Sequence, residues 1–428
     1  MLEYLHLKNV GPAPELTMEL APRLNVITGD NGLGKSFLLD IAWWALTRRW
    51  PSEVNPRLTS SMKALPYGRG TAIIEFRFTG KKKRDRYTST FDRMAQAWTG
   101  RAGRPSNPGL VLYAQADGGF AVWDPARNYW RKEGNVDVQE RQPAYVFAPR
   151  DVWDGLRHEQ MVLCAGLIFD WALWQREGGE AFEQLCAVLE AMTPDANTPL
   201  IPGDLLKIAP DDARHIPSLR MPYGQDVPIL HASAAMQRIA ALGYLLVWSW
   251  QEHLRACKTL DTEPAGQVVF LVDEIEAHLH PRWQRRIVPA LLGVVGKLAP
   301  QAAVQIMTTT HSPLVLASLE PLFSEADAWF DLDMVPRDAV PEVELTRRPW
   351  VRRGDASAWL TSEAFDLPSA RSVEAEQLLD KAAQVLADES FDHKQAKKLD
   401  AELRQVLGDT DPFWMRWRFV GEKQGWLP

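Results

Sequence analysis

An α/β fold built round a phosphate-binding loop is what this sequence of 428 residues predicts. Three observations carry that reading. An apolar run at 23–28 passes into a glycine-rich turn at 29–34 and then a helical stretch at 35–49. A second apolar run, 268–272, ends in Asp273-Glu274. A third, 303–307, ends in Thr308-Thr309-Thr310-His311. Each apolar run reads as a buried strand that delivers polar residues to one edge of a sheet.

The other elements come in chain order. Residues 2–9 and 15–20 alternate as two short strands, split by the turn Gly11-Pro12-Ala13-Pro14. Antiparallel strands are expected at 71–79 and 84–91, around Gly80, Lys81, Lys82 and Lys83. A hairpin is expected at 110–114 and 119–124 around Asp117-Gly118-Gly119, and a short strand at 143–149. From 151 to 192 apolar residues take helical spacing, which predicts an inserted helical lobe. Residues 194–228 are proline-rich and read as irregular. A long helix is expected from Ser233 to Arg255, and another after Pro281, where proline suits a first turn. Edge strands at 328–333 and 342–346 and helices at 372–388 and 394–407 complete the prediction. The expected domains are 1–150 and 227–335 for the two parts of the α/β body, 151–226 for the lobe and 336–428 for a mainly helical appendage.

Bulk features narrow the class. The start, MLEYLHLKNV, lacks a basic region followed by an apolar one, so no signal peptide is expected. The longest apolar run, 239–250, is too short to span a bilayer. Cys164, Cys186 and Cys257 are scattered without metal spacing and read as reduced core residues of a cytoplasmic protein. The net charge of −7 gives no overall attraction to nucleic acid, so a DNA contact would need a local basic patch.

The chemistry sits in four motifs. Gly29-Asp30-Asn31-Gly32-Leu33-Gly34-Lys35-Ser36 fits GxxxxGK[ST] at every fixed position. Glycines let successive backbone N–H groups turn inward on a triphosphate, and the following helix points its positive end there. The expected nucleotide-binding set is these eight residues and Phe37. Lys35 would reach the β- and γ-phosphates of ATP, and Ser36 would offer a hydroxyl to Mg²⁺. Asp273 is placed to hold Mg²⁺ through water, and Glu274 to polarise an attacking water. His311 can sense the γ-phosphate. Ser233, opening Ser233-Ala234-Ala235-Met236-Gln237-Arg238, reads either as a helix N-cap or as a grip on ATP bound to a second subunit.

These four motifs, in this order, resemble the ABC/SMC/RecF superfamily. The stretch Asp273 to Pro281 with Thr310-His311-Ser312-Pro313 is similar to the AAA-family branch of OLD nucleases and of the Septu, PARIS and retron-linked antiphage ATPases. The resemblance spans residues 1–320. It implies a P-loop NTPase of ABC/SMC head type with an antiparallel β subdomain, a short inserted helical lobe and a small helical C-terminal region. It makes 29–36 the Walker A loop, Asp273-Glu274 the Walker B pair, 233–238 the signature and His311 the switch histidine. It also makes 275–280 a loop that crosses to a partner, in a homodimer sandwiching two ATP molecules. The pattern departs at Ala235, where the family has glycine. No glutamine follows the strand ending at Pro149 closely, and Gln160 is the nearest. Asp331-Leu332-Asp333 mimics a nuclease DxD without its upstream partner and reads as a strand end.

Two basic clusters could touch phosphate backbones or be solvated turns: Lys81 to Arg86, and Arg347, Arg348, Arg352 and Arg353 around Trp350. Trp414, Trp417 and Trp426 could stack bases or pack into a core. The expected function is an ATP-dependent dimerising ATPase that regulates a separate effector, a nuclease or toxin, in a prokaryotic antiphage complex. The alternatives are a RecF-like repair ATPase that binds DNA directly and a scaffold that binds ATP without turnover.

Overall fold

Apolar runs become interior strands in the computed structural model, which describes residues 1–79, 84–100, 107–128, 141–195, 197–337, 340–387 and 392–426. The chain opens with β1 (Leu2–Lys8), β2 (Glu15–Glu19), β3 (Leu24–Gly29) and helix α1 (Lys35–Thr47). A short α2 (Pro51–Val54) precedes β4 (Ile73–Thr79), β5 (Arg84–Asp92) and β6 (Ala97–Trp98). Then come β7 (Leu110–Ala114), β8 (Phe120–Trp123), β9 (Tyr145–Phe147) and α3 (Pro149–Asp154). The lobe holds β10 (Leu156–His158), β11 (Met161–Cys164), α4 (Leu167–Glu177) and α5 (Glu180–Ala191). Three short strands come next, β12 (Ile201–Pro202), β13 (Ser218–Arg220) and β14 (Asp226–Pro228), before the long α6 (Ala234–Thr259). The body closes with β15 (Gln267–Val272), α7 (Pro281–Gln284), α8 (Ile287–Leu298), β16 (Ala303–Thr309), α9 (Pro313–Leu319), β17 (Asp327–Val335) and β18 (Glu342–Arg348).

One eight-stranded sheet runs β18-β17-β3-β16-β15-β7-β8-β9. Its five middle strands, β17 to β7 in that order, are mutually parallel. Strands buried on both faces need continuous apolar sequence, and β3, β7 and β15 supply it. A second, antiparallel sheet runs β2-β1-β4-β5-β6. Helix α1 lies between the two sheets, and from Leu38 to Thr47 every side chain is buried. A helix apolar all round belongs between two layers, and WWAL at its centre fits that demand. Helices α6, α8 and α9 pack together, with α8 against β16 and Trp248 of α6 edge-on to Phe147 of β9.

Three expectations need correction. The stretch 161–164, read as helical, is a strand of the β10–β11 hairpin. Gly166 is the reason: it holds φ +89°, and a Cβ there would lie 2.4 Å from the Gly155 nitrogen. The backbone cannot stay helical through that contact, so the helix starts at Leu167. Residues 194–228 hold the small β12–β14 sheet, too short for periodicity to mark. Strand β17 is no edge, since β3 and β18 flank it; β18 is the edge.

Residues Asp355–Pro428 form a second compact unit. It contains α10 (Ala356–Leu360), α11 (Val373–Ala387), α12 (His393–Val406) and α13 (Phe413–Gln424). Trp414, Trp417 and Trp426 are buried in its core, and Trp417 Nε1 donates to Asp400 Oδ1 at 3.0 Å. They are not free to stack on bases. In the body, Trp350 stacks on Phe323 at 3.8 Å and Arg348 pairs with Asp331 and Asp333, so that basic cluster is partly spent on structure. Lys81, Lys82 and Lys83 lie outside the described residues. The three cysteines are free thiols. Among the described residues no helix is long and apolar enough to cross a membrane.

Gly166→Ala is expected to destabilise the body by about 2–4 kcal/mol, through the positive φ and the backbone clash together. Urea denaturation followed by circular dichroism measures it, and a loss below about 1 kcal/mol, in the range of surface changes, would contradict the account.

Candidate functional site

Four neighbouring parallel strands, β3, β16, β15 and β7, end level with one another: Thr308 pairs with both Val26 and Val272, and Val272 with Ala114. The polar residues that come after them therefore meet. This is where open α/β sheets hold ligands.

The glycine-rich loop leaves β3 at Gly29. Its φ is +129°, and a Cβ would lie 2.3 Å from the Leu332 carbonyl oxygen, so only glycine lets the loop lie against β17. Asp30, Asn31 and Gly32 are exposed while the Leu33 side chain is buried, which leaves the main chain of the loop to a ligand. No side chain caps the start of α1, so its first amides and its dipole are offered to an anion. Lys35 Nζ donates to the carbonyls of Gly29 and Asp30, both at 2.7 Å. Burial pulls the Lys35 ammonium below the ordinary lysine range, and Glu274, Asp273, Asp30 and Glu276 oppose that shift. Phe37 packs half-buried against Gly11 in the turn between β1 and β2.

Asp273 joins the strands. Its Oδ1 accepts from Ser36 Oγ at 3.0 Å and from Thr309 Oγ1 at 2.7 Å. Burial raises its pKa, and Glu274 adds to the rise. Thr309 in turn accepts from the Glu274 amide at 2.7 Å. Glu274 sits at φ +43°, a strained setting that turns it away from the strand direction. Glu276 accepts from Thr310 Oγ1 at 2.7 Å and from the His311 amide. Burial, then nearby Lys35, lowers the His311 pKa.

Three of these residues carried no sequence signal of their role. Thr309 was one threonine in a run of three. Glu276 belongs to a stretch read as reaching a partner, yet it clamps the histidine loop of its own chain. Gln115 succeeds β7, in the gap between the two expected hairpin strands. Its Nε2 donates to Ser61 Oγ at 2.6 Å, while its buried Oε1 lacks a partner among the described residues. The strand pairing that sets Gln115 beside Asp273 is invisible without the fold. Gln160, by contrast, is exposed on the β10–β11 hairpin, away from these strand ends.

Ser233 is exposed and N-caps α6, its Oγ accepting from Met236 at 3.4 Å. Arg238, one turn on, donates to the Ala116 and Gln115 carbonyls at 3.0 and 3.3 Å. Asp331 is buried and bonds Thr28 Oγ1 at 2.6 Å, a structural setting.

The donors present fit a magnesium ion. The Ser36 hydroxyl and the Asp273 carboxylate are hard oxygen ligands in direct contact, and a cation there would offset the burial that raises the Asp273 pKa. Mg²⁺ takes one or two protein oxygens and completes its shell with phosphate oxygens and water.

The family model described as "AAA domain, putative AbiEii toxin, Type IV TA system" matches residues 24–317, from the start of β3 to within α9. The chain belongs to that family. Its AAA domain spans all the strand ends described above. The chain is 27% identical over 163 residues to "Retron Ec83 probable ATPase" of Escherichia coli, covering 38% of this chain and 26% of the relative. It is 45% identical over 51 residues to "Septu protein PtuA" of Bacillus mycoides, covering 12% of this chain and 6% of the relative. The chain thus spans about a quarter or less of these curated relatives. The solved SMC head domain from Thermotoga maritima matches with 13% identity and a TM-score of 0.40, over 82% of this chain and 99% of that one.

Behind the AAA-domain site, Asp40 of α1 accepts from Tyr113 at 2.9 Å, and burial pushes its carboxyl up to about 7. In the unfolded chain it titrates near about 3.9. The native state therefore holds the proton more tightly. That contribution to stability is complete below pH about 4 and is lost as pH rises towards about 7. Asp40→Asn removes it, so thermal melts should show the variant gaining on the wild type from pH 5 to 7 and running parallel above. Parallel curves across the whole range would contradict the assignment.

Proposed function

We propose that the chain is a magnesium-dependent ATP hydrolase whose ATP-linked homodimer regulates a separate effector in an antiphage complex. The observation that carries the reading is Asp273, bonded at once to Ser36 of the phosphate loop and Thr309 beside the switch histidine. Main-chain amides of 29–36 and the start of α1 bind the β- and γ-phosphates. Lys35, held by the loop carbonyls of Gly29 and Asp30, swings onto these phosphates. Ser36 and Asp273 would hold Mg²⁺, which would supply charge neutralisation on the phosphate oxygens. Glu274, turned out of strand geometry, polarises the attacking water. His311, half-buried near Lys35 and so favouring the neutral ring, donates to the γ-phosphate or exchanges a hydrogen bond with that water, and Glu276 fixes its main chain. Gln115, set next to Asp273 by the β7–β15 pairing, would join this group by turning its unpaired carbonyl oxygen from Gly119 towards the site.

Ser233 serves in trans. Its exposure at the tip of α6 suits a contact with ATP on a second copy, so ATP favours closure by bridging the two chains. The methyl of Ala235, two residues on from Ser233, is buried, leaving the Ser233 end open. The matches to retron and Septu ATPases support the antiphage setting and the expectation of a separate effector, nuclease or toxin.

Phosphate release by the purified protein tests this reading. Lys35→Ala is expected to abolish Mg-ATP binding by titration calorimetry. Glu274→Gln is expected to keep binding and lose about 10²–10⁴-fold in turnover, with dimer accumulating in light scattering. Ser233→Arg should block that dimer without weakening ATP binding by the monomer. Chelation of magnesium should stop turnover in the wild type. Wild-type turnover in Glu274→Gln would remove this residue from its role.

A further inference from the structure

The lobe carries an open trough that the ATPase chemistry does not use. One wall is α4 and the other is the β10–β11 hairpin, with residues 213–215 closing an end. Its volume is about 700 Å³. Apolar side chains do not stop at its mouth. Met161, Val162, Phe169 and Leu173 are 58%, 52%, 60% and 38% exposed around it. Phe169, Leu173 and Arg176 stand at i, i+4 and i+7 on α4, one continuous stripe. A small molecule held inside would leave that stripe wet. A surface of this kind on a folded chain marks an interaction site.

The charge says what fits. Arg157, Arg176 and Arg214 line the trough against the single carboxylate Asp154. Arg214 is engaged by Asp212 and Asp154. Arg157 and Arg176 are exposed and make no ion pair among the described residues. Two free guanidinium groups at opposite walls of an apolar floor call for carboxylates flanking an apolar ridge. The eleven residues of α4 give a trough about 16 Å long, room for about three helical turns.

We propose that this trough docks an acidic amphipathic helix of the effector, apolar ridge down and carboxylates on Arg157 and Arg176. The mode is that of a helix in a groove. The site is also mechanically tied to the ATPase. At the floor, Cys164 Sγ lies 3.1 Å from Tyr244 Oη, which donates to Asp170 of α4 at 2.6 Å. Tyr244 belongs to α6, the helix that starts at Ser233. The inference rests on the effector part of the function proposed above.

The test uses the full chain and a fluorescein-labelled 15-residue helix of leucine and glutamate, with a leucine–lysine counterpart. Fluorescence anisotropy should show saturable binding of the acidic helix at concentrations on the order of 100 µM or below. The lysine helix should bind at least about tenfold more weakly. Arg157→Glu with Arg176→Glu should lose the acidic helix and gain the basic one, and Phe169→Asp should lose both. These side chains are exposed, and unchanged circular dichroism checks folding. Binding indifferent to peptide charge, or unaltered in the variants, overturns the proposal. So does a nucleotide-free dimer that Phe169→Asp dissolves, which would make a second copy the occupant. Phosphatidylglycerol vesicle binding lost in Phe169→Asp would overturn it in favour of a membrane. Phosphate release measured in parallel separates the two readings. Normal turnover without peptide binding sinks the docking site alone, and Lys35→Ala should retain peptide binding while losing turnover.

Discussion

A carboxylate held by two hydroxyls ties the molecule together. Asp273 takes one hydrogen bond from the helix that follows the phosphate loop and one from the strand that leads to His311. Those two elements are separated by more of the chain than any local rule could relate. Removing the carboxylate would leave Ser36 and the buried Thr309 without this acceptor and would break the side-chain link between the phosphate loop's helix and β16, while the backbone pairing of β15 and β16 stays. Burial makes the arrangement costly for a charged group, and the hydroxyls of Thr309 and Ser36 with the nearby Lys35 offset part of that cost. The same bond thus sets both the geometry of the site and its appetite for cations.

Around that bond the two layers have different tasks. The parallel strands deliver polar ends to one edge in register. The antiparallel sheet covers α1 on its far side, so the helix that presents Lys35 and Ser36 cannot shift without disturbing two cores. Aromatic packing reinforces this: Trp44 stacks on Trp50 at 5.4 Å and meets Phe76 edge-on. Rigid support of this kind lets a loop of small residues keep its amides aimed at a ligand.

How much of this could be read from the residues depended on the range of the forces involved. The phosphate loop, Asp273-Glu274 and the threonine–histidine run are local: strand, turn and polar tip lie within a dozen residues, so periodicity and spacing were enough. Most strands and long helices were legible for the same reason. Gln115 and Glu276 were not, because their meaning comes from which strand lies next to which. The hairpin at 156–164 misled helical periodicity, since Met161, Val162 and Leu163 are as apolar as any helix face and only the back-to-back contact of Gly155 and Gly166 decides the conformation. Arg238 read as part of a motif aimed at a partner, whereas its guanidinium is occupied by carbonyls of its own chain.

The unit from Asp355 onward closes its core with its own tryptophans. Its stability is therefore set from within: Trp414, Trp417 and Trp426 rest on residues of α11 and α12, and Asp400 satisfies the Trp417 indole inside the same segment.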